Sequence, residues 1–140
     1  ASGDAIIREG EQDQALWILL SGECEVVRAR DEDGEQQLAT IEPGGIFGEM
    51  SFLKPAPHSA TVRALCDVEV ARITPDAFEE LRDESPSAAY CILMNLVMLL
   101  SDRLRTMDER IGAVIEHTPQ DRQKEWHDFR ARLFAGWDFN

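Results

Sequence analysis

The sequence predicts an α+β fold in which strands dominate the first half and helices the second. Three observations lead to this class. Short apolar segments recur roughly every ten residues up to residue 73, separated by polar or glycine-containing turns, as in a sandwich or barrel. From residue 74 the apolar residues follow helical spacing instead. The chain has 140 residues, 44% of them hydrophobic, which is enough for one domain with a core and an appendage.

Apolar runs at residues 5–10, 16–20 and 23–28 are predicted as the opening strands, since glycine or polar turns separate them. The acidic stretch 31–34 ends in glycine, which readily adopts the positive φ of tight hairpin turns. Residues 36–41 are then expected to return as the second strand of that hairpin.

Residues 61–73 alternate between apolar and polar positions. Alternation with a period of two predicts strand, with a turn near Cys66. Thr74 and Pro75 then mark the start of a helix, because threonine caps helices and proline suits their first position. We expect that helix to end before Pro86.

The stretch at residues 44–53 contains the residues with the clearest chemical role. Gly44 and Gly45 permit a tight reversal, and Gly48 lets the backbone approach a ligand closely before a short helix begins. Backbone N–H groups at such a start attract an anion, usually a phosphate. Because a carboxylate repels phosphate, Glu49 at this place favours a different role, that of accepting hydrogen bonds from a sugar hydroxyl.

Residues 47–53 and 57–61 read FGEMSFL and PHSAT. Together they resemble the phosphate-binding cassette of the cyclic-nucleotide-binding domain family, which occurs in catabolite-activator-type regulators, cyclic-nucleotide-dependent kinases and gated channels. We call residues 47–61 the cassette. The resemblance implies a double-stranded β-helix (jelly roll), followed by a long C-terminal helix and a short terminal helix. One position departs from the family pattern, because His58 stands where the family has an arginine that pairs with the phosphate.

The resemblance also implies which residues would hold cyclic AMP or cyclic GMP. The phosphate would lie on the amides of Gly48, Glu49 and Met50, with the ribose on Glu49. Ser59 would assist with its hydroxyl and amide, and the base would lie against the long helix. The complete predicted ligand set is Gly48, Glu49, Met50, Ser51, His58, Ser59 and Ala60. Residues 105–108, which would meet the base, do not keep the activators' Thr-Ser pair in a clean form, so the base preference stays open.

Two interpretations of this module remain open from the sequence. The first is a regulatory domain that senses cyclic AMP or cyclic GMP. The second is a degenerate regulatory and dimerisation module that keeps the fold but no longer binds nucleotide. An arginine fork gives a phosphate two charge-assisted hydrogen bonds of roughly 1.5–3 kcal/mol each, so its loss would weaken binding by about two to four orders of magnitude. Histidine restores part of this only when it is protonated.

Residues 87–116 are predicted as one long helix with a heptad seam. The seam residues are spaced alternately by four and three, which is typical of helices that pair in a coiled coil. They are Leu93, Val97, Leu100, Leu104, Met107, Ile111 and Val114. The alternative is a single helix lying on the domain's own sheet. Many bacterial members of the family pair through this helix, so the resemblance favours a homodimer.

Residues 120–140 carry a second apolar stripe at helical spacing, made of Trp126, Phe129, Leu133, Phe134 and Trp137. The stripe predicts a short terminal amphipathic helix that packs within the chain or across a dimer, with a docking patch for another protein as the alternative. The predicted organisation is therefore a jelly roll with a short helix over residues 1–85, a dimerisation helix over 86–118 and the terminal helix over 119–140.

Composition and motif content exclude several functions. A net charge of −13 repels nucleic-acid phosphates, and the roughly twenty residues after Pro119 are too few for a winged helix. The three histidines, His58, His117 and His127, lack the paired spacing of a cupin-type metal enzyme. No nucleophile elbow, P-loop or dinucleotide fingerprint is present. We therefore expect a binding module and not an enzyme, with no cofactor, no metal and no nucleic-acid partner.

Cellular location is inferred from the thiols and the apolar runs. Cys24, Cys66 and Cys91 form an odd set without Cys-x-x-Cys spacing, which predicts small buried thiols in a reduced, cytoplasmic protein. The longest apolar run, at residues 96–100, is too short to span a membrane, and no signal peptide is apparent. The sequence starts at Ala1 without a methionine, which predicts a segment of a longer protein.

Overall fold

Two small β-sheets make up most of the first half of the chain. The computed structural model describes residues 1–30, 34–116, 124–129 and 131. The strands in those residues are β1 (Ala5–Ile7), β2 (Leu16–Ser21), β3 (Cys24–Arg30), β4 (Gly34–Ile41), β5 (Ile46–Phe47), β6 (Thr61–Ala64) and β7 (Glu69–Ile73). One sheet has the order β1-β6-β3-β4 and the other the order β5-β2-β7, with neighbouring strands antiparallel. The mainly β class predicted for this half is confirmed.

The predicted hairpin is formed by β3 and β4. Arg30 lies opposite Gly34 in the register, and Gly34 has a φ of 84°. The other turn residues, 31–33, lie outside the described residues. The predicted break within residues 61–73 is also present, because this stretch divides into β6 and β7. Since β6 belongs to the four-stranded sheet and β7 to the three-stranded one, the chain passes from one sheet to the other at this turn.

The hydrophobic core draws one buried residue from each of six strands. They are Ile7, Leu19, Cys24, Ile41, Phe47 and Val62. Cys24 has no exposed surface, and burial raises the pKa of its thiol. The prediction of buried thiols holds for Cys24 but is wrong for Cys66 and Cys91, which are exposed. Cys66 shares the alternation of the apolar positions around it, yet it lies in the turn between β6 and β7, where that alternation no longer points into a sheet interior.

The helices in the described part of the chain are α1 (Glu49–Leu53), α2 (Pro75–Glu84) and α3 (Pro86–Glu116). α2 begins as predicted, because Thr74 Oγ1 accepts a hydrogen bond from the Ala77 amide at 3.2 Å and Pro75 is its first residue. The Phe78 ring of α2 meets the Phe52 ring of α1 edge-on, with 5.8 Å between the ring centroids. This aromatic contact packs α1, the helix that follows Gly48, against α2.

The chain divides into two compact units, Ala1–Leu96 and Val97–Asn140, and α3 runs from the first into the second. In the first unit, α3 buries Ala89 and Leu96, whereas Leu93 of the predicted seam is 39% exposed. At 3.6 residues per turn, the buried pair lies on a side of α3 adjacent to the seam. The helix therefore packs on its own domain through a stripe that sequence spacing alone did not single out.

In the second unit, the seam of α3 stays exposed. Val97 is 55% exposed, Leu104 61% and Met107 54%, while Leu100 and Ile111 are half-buried. We call the set Leu93, Val97, Leu104 and Met107 the outer face of α3.

The apolar stretch of α3 is also longer than the sequence analysis predicted. By length and composition alone, Pro86–Ala113 passes as a helix able to cross a membrane, which corrects the expectation that no apolar stretch approaches that length. A single such helix is weak support for membrane insertion, because helices of soluble proteins pass the same test.

The predicted terminal helix falls only partly among the described residues. Residues 124–129 and 131 are helical, and the Trp126 and Phe129 ring centroids lie 5.5 Å apart. Leu133, Phe134 and Trp137 lie outside the described residues, so the full stripe stays a prediction.

Candidate functional site

Gly48 sets the start of α1 and brings it close to β2. Its φ of +74° lies in the left-handed region, which residues with a side chain rarely adopt. A Cβ at this position would lie 2.7 Å from the Ala15 carbonyl oxygen and 3.0 Å from Trp17 Cδ1. Glycine is therefore needed both for the backbone conformation and for the close approach of the cassette to β2.

Buried polar side chains are concentrated in the cassette. Among the described residues, the polar or charged side chains classed as buried are Glu49, Ser51 and His58, with 3%, 2% and 6% of their surface exposed. Burying a polar group without a compensating hydrogen bond is unfavourable by about 1–3 kcal/mol. Three buried polar side chains within ten residues of each other indicate a site built for polar chemistry and not a continuation of the apolar core.

Ser51 and His58 form a hydrogen-bonded pair across the cassette. Ser51 Oγ lies 3.1 Å from His58 Nδ1, and the serine hydroxyl donates to the Ala56 carbonyl oxygen at 2.9 Å. The other ring nitrogen, His58 Nε2, is buried and has no hydrogen-bond partner among the described residues. Unpaired buried nitrogens are uncommon in proteins, and each calls for an explanation.

The turn between β1 and β2 is hydrogen-bonded to the cassette. The Gly10 amide donates to the His58 carbonyl oxygen at 2.9 Å, and the His58 amide donates to the Glu11 carbonyl oxygen at 2.9 Å. Gln14 Nε2 donates to the Phe52 carbonyl oxygen at 3.2 Å. Sequence analysis placed a glycine or polar turn between the first two strands but gave no sign of this role, because backbone pairing to a distant segment leaves no local sequence pattern.

The remaining predicted ligand residues differ in exposure. The Met50 side chain is 61% exposed, so only its amide is in place for the role predicted from the resemblance. Ser59 is exposed and Ala60 half-buried, and the two form a bend between His58 and β6. Of the predicted set, the structure joins Ser51 and His58 directly.

The basic side chain nearest to His58 in sequence on its C-terminal side is already engaged. Arg63 Nη2 lies 2.7 Å from Glu25 Oε1 and 3.0 Å from Glu35 Oε2. The hydrogen bonds that Arg63 donates, first to Glu25 and then to Glu35, raise the pKa of its guanidinium. Arg63 therefore serves an ion-pair cluster on the four-stranded sheet. In the described part of the chain, no three His, Cys, Asp or Glu side chains are grouped so as to hold a metal ion.

Comparison with known proteins gives a consistent family. The model of the cyclic nucleotide-binding domain matches residues 1–85. The cAMP-dependent protein kinase regulatory subunit of Hypocrea atroviridis is 38% identical over 81 residues, which are 58% of this chain and 16% of that protein. The cyclic AMP receptor protein of Thermus thermophilus is 34% identical over 106 residues, 76% of this chain and 47% of that protein. The chain thus spans less than half of either relative.

The fold agrees with this family. The crystal structure of a cyclic nucleotide-binding domain from Methylobacillus flagellatus KT superimposes with a TM-score of 0.69 at 29% identity, covering 80% of this chain and 63% of that one. The predicted jelly roll followed by a long helix is confirmed by this likeness. Since the family model covers residues 1–85 of 140, the chain belongs to the cyclic nucleotide-binding domain family.

Proposed function

We propose that this chain is a regulatory domain that senses a cyclic nucleotide, cyclic AMP or cyclic GMP, in its cassette. The family to which it belongs is regulatory and not catalytic. Two relatives are named for cyclic AMP, one as a kinase regulatory subunit and one as a receptor protein. These names support the ligand class, while the base preference stays open.

The observation that carries the proposal is the buried, unpaired Nε2 of His58. A domain that had lost its ligand would gain stability by replacing such a side chain with an apolar one, because an unpaired buried polar group is unfavourable by about 1–3 kcal/mol. When the imidazole is protonated, Nε2–H can donate a hydrogen bond to a phosphate oxygen of the ligand. Retaining Glu49, Ser51 and His58 in a buried cluster therefore favours a sensor over a degenerate module.

The roles of the site residues follow from their exposure and backbone geometry. The amides in the first turn of a helix have no intrahelical acceptor. The start of α1 therefore suits a phosphate that lies on the amides of Gly48, Glu49 and Met50. The Glu49 carboxylate accepts a ribose hydroxyl. His58 donates to the phosphate, and Ser59 and Ala60 close the site beside it.

The second part of the proposal concerns a second copy of this chain as partner. The outer face of α3 exposes four large apolar side chains along a heptad seam, between 39% and 61% each. Contiguous exposed apolar surface at helix-pairing spacing favours a parallel or antiparallel helix pair. We propose a homodimer formed through this face, within the division of residues into 1–85, 86–118 and 119–140.

The last part of the proposal concerns nucleic acids, membranes and catalysis. A net charge of −13 opposes binding to DNA or RNA, and the charged residues that follow Leu100 on α3 oppose membrane insertion. We propose a non-catalytic cytoplasmic module without nucleic-acid or membrane partners.

Isothermal titration calorimetry tests the sensing function. Purified protein is titrated at pH 6 with cyclic AMP and with cyclic GMP, and with 5′-AMP as a noncyclic control. We expect saturable one-site binding of at least one cyclic nucleotide, lost or strongly weakened in His58→Ala. His127→Ala is the matched control, since it removes a histidine outside the cassette, and should bind as wild type does. Absence of binding by either cyclic nucleotide at millimolar ligand would reject the sensor and leave the degenerate module.

A further inference from the structure

The two nitrogens of the His58 ring have different surroundings. Nδ1 is 3.1 Å from Ser51 Oγ, and Nε2 has no partner in the described part of the chain. In neutral histidine one ring nitrogen carries a proton and the other does not, and hydrogen bonding decides which. The environment of Ser51 therefore decides what the unpaired Nε2 is able to bind.

The Ser51 hydroxyl has one proton, and that proton is already committed. Ser51 Oγ donates to the Ala56 carbonyl oxygen at 2.9 Å, and a carbonyl oxygen only accepts. Toward His58, the serine oxygen is left to act as an acceptor. The hydrogen bond at 3.1 Å must then run from Nδ1–H to Ser51 Oγ.

We infer that Ser51 is a positioning residue that holds neutral His58 as the Nδ1–H tautomer, so that Nε2 donates to an anionic oxygen of the ligand only after it takes up a proton. The inference rests on the proposed function for the identity of the ligand, a cyclic phosphate. In the family cassette, an arginine supplies this contact from its own fork; here a serine–histidine pair supplies it instead.

Backbone hydrogen bonds and burial both hold His58 in place. Its amide is held by the Glu11 carbonyl oxygen and its carbonyl oxygen by the Gly10 amide, each at 2.9 Å. The side chain is 6% exposed, so rotating the ring by half a turn would move Nδ1 from a paired place to an unpaired one without exposure to water. Both constraints favour one ring orientation.

The arrangement couples phosphate binding to the uptake of one proton. Neutral His58 presents a lone pair at Nε2, and a phosphate oxygen is also an acceptor, so the two repel. When a proton from solvent is added at Nε2, both ring nitrogens donate, Nδ1–H to Ser51 and Nε2–H to the phosphate. The second of these is a charge-assisted hydrogen bond, about twice as strong as a neutral one.

Other charged groups lie on the segments that pack against His58. They are Glu49 on α1, Lys54 directly after it, and Arg8, Glu9 and Glu11 on the turn between β1 and β2. Glu9 is engaged, since its carboxylate accepts from the Ala29 amide at 2.9 Å and lies 3.6 Å from Arg28 Nε. Glu49 is the buried carboxylate of this group.

Nitrogen-15 NMR of the imidazole side chains measures the tautomer directly in the nucleotide-free protein. At pH 8 we expect His58 to carry its proton on Nδ1, the minor form of free histidine. His58→Gln identifies its signals among those of His117 and His127. In Ser51→Ala the acceptor is gone, and the proton should move to Nε2. Wild-type protein with the Nε2–H tautomer would overturn the inference, whether or not nucleotide binds.

A double-mutant cycle on cyclic AMP affinity separates positioning from a purely structural role of Ser51. Alone, Ser51→Ala should weaken binding at pH 6 by about tenfold, because the ring loses the hydrogen bond that orients its charged form. In the His58→Arg background the same change should alter affinity by less than about twofold, since the hydrogen bond from Nδ1–H to Ser51 is absent there. Equal losses in both backgrounds would mean that Ser51 only holds the Ala56 loop, and the inference would fail.

The two claims fail separately. If His58 is the Nδ1–H tautomer but neither cyclic nucleotide binds, the sensing function is rejected while the tautomer assignment is supported. If nucleotide binds and His58 is the Nε2–H tautomer, the function is supported and the role of Ser51 is rejected.

Discussion

The cassette and the outer face of α3 break the usual rule of burial in opposite ways. The cassette buries polar side chains, with Glu49, Ser51 and His58 all less than 10% exposed. The outer face of α3 exposes apolar ones, with Val97 and Leu104 more than half exposed. Folded chains normally do the reverse, and in the proposed function a small polar ligand completes the cassette and a second copy of the chain covers the outer face.

The difference between the two regions lies in how each would be completed. A buried polar group needs a specific hydrogen-bond partner in a fixed position, so the cassette is expected to select a small ligand. An exposed heptad seam needs matching apolar area, which a second copy of the same helix supplies. Changes in one region should therefore leave the other largely unaffected.

The largest effect is expected from placing charge on the outer face of α3. Val97→Asp combined with Leu104→Asp would bury two carboxylates in the proposed helix pair, at several kcal/mol for each unpaired charge, and should weaken dimerisation by about a thousandfold or more. Light scattering with sedimentation equilibrium measures the mass. Asn95→Asp is the matched control, because it adds the same charge on the opposite side of the helix. A wild-type protein that is monomeric at high concentration contradicts the dimer.

A smaller but more specific effect is expected from Glu49→Gln in the cassette. The amide keeps the shape of the side chain but removes the negative charge that would accept a ribose hydroxyl. Hydrogen bonds to charged groups are worth roughly 1.5–3 kcal/mol, so cyclic AMP affinity should fall by about ten- to a hundredfold. Calorimetry with 2′-deoxy cyclic AMP supplies the control, since that ligand should bind wild type and variant about equally. Equal losses for both ligands would place Glu49 elsewhere than at the ribose.

The affinity for cyclic AMP should rise moderately as pH falls. The complex requires protonated His58, and histidine gains its charge as pH falls through the physiological range. Cyclic AMP affinity should therefore rise between pH 8 and pH 6, by at most about tenfold per pH unit because one proton is taken up. His58→Gln should bind with a flat profile, and a flat profile in wild type would exclude His58 from the phosphate.

The smallest effect is expected from a change outside both regions. Thr74→Ala removes the oxygen that accepts from the Ala77 amide at 3.2 Å at the start of α2. Loss of such a cap lowers the free energy of unfolding by about 1 kcal/mol. Urea unfolding measures this loss, while dimer mass and nucleotide affinity should stay as in wild type. A large change in either would show that the two regions depend on α2.

Local patterns were enough to predict most of the strands, α2 and α3, whereas the cassette was identified by its resemblance to a family and β5 was not predicted. The cap at Thr74, the hairpin to Gly34 and the break within residues 61–73 each depend on residues close together in sequence. Distant contacts left no such pattern. Nothing in the residues around Gly10 indicated that this turn holds the His58 backbone, and the spacing of α3 did not separate the stripe that packs on the domain from the seam that stays exposed.

The site was predicted in part for the same reason. The resemblance pointed to His58, and glycine at position 48 pointed to a close approach, but the partner of that approach is β2, through Ala15 and Trp17. The Ser51–His58 bond requires two residues separated by a loop to meet in three dimensions. Only the folded chain reveals that the serine proton is directed to Ala56 and that one ring nitrogen is left unpaired.

The affinity of His58→Arg for cyclic AMP at pH 8 tests the central claim most directly. A neutral histidine gives the phosphate no charge-assisted hydrogen bond, whereas arginine is always charged and offers two hydrogen bonds to the phosphate. Calorimetry should show that the variant binds about a hundredfold more tightly than wild type or better, without a pH slope between 6 and 8. If the variant is folded but gains no affinity, the cassette does not receive a cyclic phosphate at residue 58, and the account of the site is wrong.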